Sequence, residues 1–185
     1  FNIVVLEGAD KDVRSAFADV FSEELKLDRD IEFSLIVRIK REKDPQVLSS
    51  LFQAVKRLTL WDKNVETATE TIGEAILSSS NENVLVDAFL AYAKYPSTDK
   101  KVQEKIVEHL NSKDAGVVAA AGRALQFAKI KDREVRKKLL KAAPGFFKHP
   151  LITEEDVFRS SLPEIEESES NGEAESEDEA EEGVE

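Results

Sequence analysis

The sequence contains no cysteine and no methionine, and its 185 residues include only two histidines, seven glycines and five prolines. Without cysteine there is no disulfide, no thiolate metal site and no thiol nucleophile. His109 and His149 lie 40 positions apart, which argues against a histidine-based zinc site. No run of about 18 apolar residues is present, so we expect no membrane-spanning helix.

The glycines, serines and histidines match no familiar catalytic or cofactor-binding motif. None of the glycines has the spacing of a nucleotide-binding loop, and no nucleophile elbow surrounds a serine. Neither histidine has a paired carboxylate or thiol in a recognised motif, so we assign both to the surface or to a helix dipole. We predict a non-enzymatic protein with no catalytic, cofactor-binding or metal-binding residue, and no cofactor.

Charge is distributed unevenly along the chain. The 38 acidic and 26 basic residues give a net charge of -12. No lysine or arginine follows Arg159, whereas twelve acidic residues lie between Glu164 and Glu185, so residues 1–163 are neutral overall. The end of the chain has too few apolar residues to offset the entropy of ordering. We therefore predict a disordered acidic C-terminal tail over residues 163–185.

An Asp or Asn followed three residues later by Val or Ile recurs eight times. Successive steps are 15 to 19 residues, and alternate members are separated by 34, 37 and 33 residues, so two similar halves form one repeat. Such residues are good helix N-caps, because their side-chain oxygen accepts a hydrogen bond from a free backbone N–H. We predict eight helices, beginning at Asp10, Asp28, Asp44, Asp62, Asn81, Asp99, Asp114 and Asp132.

Apolar residues follow these caps at four-residue steps, as they do along one face of a helix. The stripes are Val13/Phe17/Phe21, Val47/Leu51/Val55, Val84/Ala88/Tyr92, Val117/Ala121/Leu125, Ile31/Leu35/Ile39, Val102/Ile106/Leu110 and Val135/Leu139/Ala143. After Asp62 the stripe is displaced to Ala68, Ile72, Ala75 and Ile76. Because helices of about four turns are marginal alone, we expect them to bury these stripes by stacking in pairs.

Residues 10–16, 114–125 and 132–136 resemble HEAT repeats, in particular the short HEAT-like repeats of many bacterial proteins. The resemblance covers about residues 10–143. It implies an all-α solenoid of about four helix pairs, at residues 10–43, 44–80, 81–113 and 114–143. It implies no particular activity, because HEAT-like proteins share a shape and not a reaction.

Apolar residues also flank the repeats. We expect residues 1–9, which include Ile3, Val4, Val5 and Leu6, to form the end of a preceding helix or an N-terminal cap. Residues 144–162 are interpreted as a C-terminal cap segment, with a docking motif for a partner groove as the alternative. Because Phe1 is not a start methionine, we interpret the chain as a fragment of a longer protein or a processed form.

The last helix pair is locally basic, and it forms a candidate patch for an anionic partner. Clustered cations can bind phosphate groups, although a solvated helix face also explains such a cluster. We further hypothesise that the acidic tail competes for this patch from within the chain. The patch consists of Lys129, Lys131, Arg133, Arg136, Lys137, Lys138 and Lys141.

Trp61 lies in the turn before Asp62. We interpret it as a residue that packs across this turn and fixes it, with an exposed contact residue as the alternative.

Together, these features favour a HEAT-like scaffold or adaptor that binds another protein on its concave helical surface, modulated by the acidic tail. The alternative is a nucleic-acid-associated module using the basic last repeat, which the neutral body and acidic tail disfavour. A regulatory subunit or maturation factor is a third hypothesis. We expect a monomer or a part of a larger chain or complex. The compartment stays open: the cytoplasm is slightly favoured, and export is the alternative if Phe1 is a processed N-terminus.

Overall fold

The computed structural model describes residues 9–22 and 26–144, which form eight α-helices, a short 3-10 turn at His109–Asn111 and no β-strand. The predictions for residues 1–8, for the C-terminal cap segment beyond Pro144 and for the acidic tail lie outside the described residues. The helices are α1 (Lys11–Ser22), α2 (Arg29–Arg41), α3 (Pro45–Arg57), α4 (Asp62–Ser78), α5 (Glu82–Lys94), α6 (Lys100–Glu108), α7 (Ala115–Phe127) and α8 (Arg133–Ala142).

Seven of the eight predicted N-caps are confirmed. At each of these positions the side-chain oxygen accepts a hydrogen bond from a backbone N–H in the first turn of the helix, which satisfies a donor that the helix itself cannot. Pro45 occupies the first position of α3, where no backbone N–H is needed. The seven caps are Asp10, Asp28, Asp44, Asn81, Asp99, Asp114 and Asp132.

The prediction is wrong at Asp62, which is the first residue of α4 and not its cap. Trp61 is the N-cap, and its side chain makes no capping hydrogen bond. Its backbone N–H instead donates to the buried carboxylate of Glu32, at 2.9 Å from Oε2. Helix α2 therefore supplies the acceptor that fixes the start of α4, while Asp62 remains favourably placed for the helix dipole.

The helices form two layers in chain order. Helices α1, α3, α5 and α7 pack on one another in sequence, and we refer to them as the odd layer. Helices α2, α4, α6 and α8 form the even layer in the same way. Between the layers, α3 packs on α2, α5 on α4 and α7 on α6. This sequential stacking makes the described part of the chain an all-α solenoid, as predicted.

The core lies between the two layers, where most of the predicted stripes are buried. In the odd layer, three of the predicted stripes are buried along their whole length: Val47/Leu51/Val55, Val84/Ala88/Tyr92 and Val117/Ala121/Leu125. In the even layer the buried members are Leu35, Ile39, Ala68, Ile72, Ile76, Val102, Ile106, Val135 and Leu139, whereas Ile31, Ala75, Leu110 and Ala143 are partly buried.

Most of the predicted stripe of α1 does not face the core, although Phe21 packs against it. Val13 is 55% exposed, and Phe17 and Phe21 are half-buried. The side chains of α1 that are buried are Ser15 and Ala18. The stripe corresponds to the one that α3, α5 and α7 turn toward the even helix before them, and no such helix precedes α1 among the described residues.

The two layers differ in spacing. Successive helices of the odd layer approach one another more closely than successive helices of the even layer do. We refer to the outward surface of α1, α3, α5 and α7 as the odd-layer face.

Candidate functional site

Charged side chains are segregated between the two layers. Helices α3, α5 and α7 carry six charged residues among their 39 and α1 carries four among its 12, whereas the four even-layer helices carry 22 among 49. Helix α7 has a single charged residue, Arg123. Depletion of charge is typical of the central part of protein–protein interfaces, and a solvated surface does not require it.

Polar contacts link successive odd-layer helices at equivalent positions. Ser15 Oγ lies 3.0 Å from Ser50 Oγ, joining α1 to α3. The hydroxyl of Ser49 donates to the carboxylate of Asp87, joining α3 to α5. In both pairs, the fifth residue after the N-cap of one odd-layer helix contacts the sixth residue after the N-cap of the next odd-layer helix. At the α5–α7 junction these positions are Val86 and Ala120, so the odd-layer face changes from polar to apolar along the solenoid.

Asp87 is the most constrained polar side chain of this face. It is only 8% exposed, and besides Ser49 it accepts a hydrogen bond from Gln53 Nε2 at 3.2 Å. The ammonium group of Lys56 lies 3.4 Å from its Oδ1. The carboxylate charge is therefore balanced from α3, which keeps the centre of the face close to neutral.

A groove of about 740 Å³ crosses the N-terminal halves of α1, α3 and α5. Amides, hydroxyls and the balanced Asp87 carboxylate dominate its lining, and such groups can pair with the N–H and C=O groups of a peptide backbone. His109, the histidine within the described residues, is not among its lining residues. The principal polar lining residues are Gln46, Ser49, Ser50, Gln53, Asn83 and Asp87.

The predicted anionic-partner patch is partly neutralised. Lys137 pairs with Glu134 at 3.2 Å, and Lys138 reaches Glu104 of α6 at 2.9 Å. Arg136 donates from Nε to the carbonyl oxygen of Ile130 at 2.7 Å, so its guanidinium is turned toward the α7–α8 loop.

The other four patch residues form no ion pair within the described part of the chain. They are Lys129, Lys131, Arg133 and Lys141, and all four side chains are exposed. Arg133 and Lys141 share one face of α8 because they are eight residues apart. The structure thus brings together a smaller basic face than the sequence predicts.

Trp61 fixes a different segment from the one predicted. Its indole N–H donates to the carbonyl oxygen of Leu27 at 3.0 Å, and the Lys26 ammonium lies 4.2 Å from the ring centre. It therefore fixes the segment before α2 to the start of α4, and does not pack across its own cap. The side chain is nevertheless 43% exposed.

We predict a surface or helix-dipole position for His109. It lies at the end of α6, half-buried, with its ring centre 5.4 Å from that of Phe89. Burial lowers its pKa, with a further contribution from the positive charge of Lys105. His109 is therefore a packing residue between the layers, and His149 lies outside the described residues.

The described residues contain no group of three or more His, Cys, Asp or Glu side chains arranged to hold a metal ion. Among the same residues, no helix has the length and apolar character needed to cross a bilayer.

Comparison with known proteins supports the fold but gives no information on the function of the site. No protein-family model and no curated protein matches the chain. A crystal structure of an engineered protein superposes with a TM-score of 0.54 at 20% sequence identity, over 75% of this chain and 66% of that chain. This likeness concerns the arrangement of helices alone.

Proposed function

We propose that this chain is a non-enzymatic scaffold of HEAT-like repeats that binds a partner protein along its odd-layer face. The observation that carries the proposal is the segregation of charge, which leaves α3, α5 and α7 with few charged residues while the even layer is highly charged. We infer that the odd-layer face is the concave side of the solenoid. Stacked helix pairs provide extended concave surfaces of this kind, and interface centres are depleted in charge. We also propose that the acidic tail modulates the binding of the partner protein through its negative charge.

Photo-crosslinking within the groove tests this proposal. A photoreactive residue at Gln46 should give one defined protein adduct in an extract of the native organism. We expect Asn83→Arg, which places a charge beside Gln46 in the groove, to reduce this adduct at least about tenfold, because an uncompensated charge at an interface centre is strongly unfavourable.

The matched control is Glu70→Arg, which changes an exposed residue of α4 in the even layer. It should leave the adduct from Gln46 unchanged. An adduct that survives Asn83→Arg but is lost with Glu70→Arg would contradict the assignment of the partner to the odd-layer face.

The second candidate is binding of nucleic acid through α8, and the unpaired Lys129, Lys131, Arg133 and Lys141 favour it. With a single-stranded probe, four phosphate contacts would weaken binding about 50-fold between 50 and 200 mM salt. We expect fluorescence anisotropy with a 20-nucleotide single-stranded DNA to show no saturable binding by the full chain. Saturable binding with this salt dependence, abolished by Arg133→Gln with Lys141→Gln, would replace the scaffold proposal with the nucleic-acid one.

A further inference from the structure

The imidazole of His109 lies where α5, α6 and α7 meet. His109 follows the last residue of α6 and begins the 3-10 turn, which packs on α7. Its ring centre is 5.4 Å from that of Phe89, a fully buried residue of α5. Leu110, the next residue of the turn, packs against the hydrophobic core. The side chain of His109 is therefore part of the contact between the third and fourth helix pairs.

One nitrogen of this imidazole lacks a hydrogen bond. His109 Nε2 is buried, and no atom of the described residues donates to it or accepts from it. A neutral imidazole carries only one N–H, so its other nitrogen can be buried as a bare lone pair. A second proton would add a positive charge and a buried N–H donor that has no acceptor. The site therefore suits the neutral imidazole and disfavours the cation.

The elements packed around His109 supply no counter-charge. Burial is the main reason why its pKa is lowered, and the positive charge of Lys105 adds to the effect. The carboxylate of Glu108 acts in the opposite direction and is weaker, and it pairs with Lys105 at 3.5 Å. His109 forms no ion pair with the charged residues of α5 and α7 within the described part of the chain, which are Glu82, Asp87, Lys94 and Arg123, nor with the α7 cap Asp114.

We propose that His109 is a proton-sensitive contact, and that its protonation releases the end of α6 and the 3-10 turn from α5 and α7. Histidine changes charge between neutral and mildly acidic pH, so the packed form would dominate at neutral pH and the released form would gain population on acidification. This inference does not depend on the proposed function, because it concerns the contact between two helix pairs and no partner.

The direction of the pH effect follows from linkage. The pKa of His109 is lower in the folded chain than the ordinary value of 6.5. The unfolded chain therefore binds this proton more readily than the folded chain does. The stabilising effect of the neutral imidazole is fully present above the unfolded pKa, and it is lost as the pH falls below that value.

Urea-induced unfolding of the full chain at about pH 7.5 and about pH 5.5 tests the proposal. Glutamine is polar but uncharged at both pH values, and the chain has only two histidines, so His149→Gln is the matched control for His109→Gln. On acidification the unfolding equilibrium constant of the wild type should rise severalfold more than that of His109→Gln. The His149→Gln variant should behave like the wild type.

Hydrogen exchange of the wild type locates the effect without relying on a variant. After correction for the intrinsic pH dependence of exchange, acidification should accelerate the amides of residues 108–112 severalfold relative to those of α3. The His109→Gln variant should lose this local acceleration.

The same pH dependence in the wild type and in His109→Gln would overturn the proposal, because His109 would then be a packing residue alone. An acceleration spread evenly over α3 and residues 108–112 would also overturn it. So would a pH effect that disappears with His149→Gln.

Discussion

Replacing Phe52 with alanine should lower the free energy of unfolding by about 3–5 kcal/mol, the largest loss that we expect from a single substitution. Phe52 is fully buried in α3, eight residues after its cap, and Phe89 has the same position and burial in α5. Truncation leaves a cavity where successive odd-layer helices pack, and the stacked backbone cannot collapse to fill it.

Phe33→Ala is the matched control for this prediction. Phe33 lies on α2 and is 47% exposed, so its truncation should cost about 1 kcal/mol or less. Urea-induced unfolding followed by circular dichroism measures both variants. Similar losses for the two phenylalanines would mean that the odd layer does not pack as described.

Replacing Glu42 with glutamine should destabilise the protein by about 3 kcal/mol at neutral pH. Glu42 follows α2 and is 8% exposed, and its Oε2 atom lies 2.9 Å from Arg14 Nε and 2.8 Å from Arg38 Nη2. Its Oε1 atom accepts hydrogen bonds from the backbone N–H groups of Lys43 and Asp44. One carboxylate therefore joins α1, α2 and the start of α3, and glutamine would leave two partly buried guanidinium groups without their counter-charge.

The effect of Glu42→Gln should depend on pH. Burial alone would raise the pKa of Glu42, but hydrogen bonds from Arg14, Arg38 and the two backbone amides outweigh it and lower the pKa from 4.5 to about 2. A lowered pKa in the folded state stabilises the protein fully above the unfolded value, and this contribution is lost as the pH falls. The stability difference between wild type and variant should therefore shrink between about pH 4.5 and pH 2.

Glu74→Gln provides the control for Glu42→Gln. Glu74 pairs with Lys40 at 3.1 Å, but its side chain is 63% exposed, so its replacement should cost less than about 0.5 kcal/mol. Chemical denaturation at several pH values distinguishes the two variants. A loss at Glu42 as small as that at Glu74, or one that does not change toward pH 2, would contradict the role assigned to this carboxylate.

Local chemistry made most helix starts predictable from the sequence. A cap such as Asp44 or Asn81 needs only its own side chain and the next three backbone N–H groups, so its role can be read without knowing the tertiary structure. Asp62 was mispredicted because the acceptor at the start of α4 comes from Glu32, 29 residues earlier than Trp61. Such a contact depends on how α2 and α4 pack, which the local pattern does not specify.

The candidate site was harder to predict than the helices. The shortage of charge in α3, α5 and α7 is present in the sequence, but it becomes visible only when alternate helices are assigned to different layers. The contact of Ser49 with Asp87 spans 38 residues and depends on the packing register of α3 and α5. Val13 has the spacing of a core residue, yet its exposure depends on which element packs against α1.

Distances between spin labels test most directly whether the helices stack in chain order. The chain has no cysteine, so labels can be attached at introduced cysteines replacing the exposed residues Asp12, Asn83 and Ala119. With helix axes 8–10 Å apart, the Asp12–Asn83 distance should be on the order of 20 Å and the Asp12–Ala119 distance on the order of 30 Å. Similar distances for the two pairs, as in a closed bundle in which α7 returns to α1, would contradict the solenoid and the extended odd-layer face.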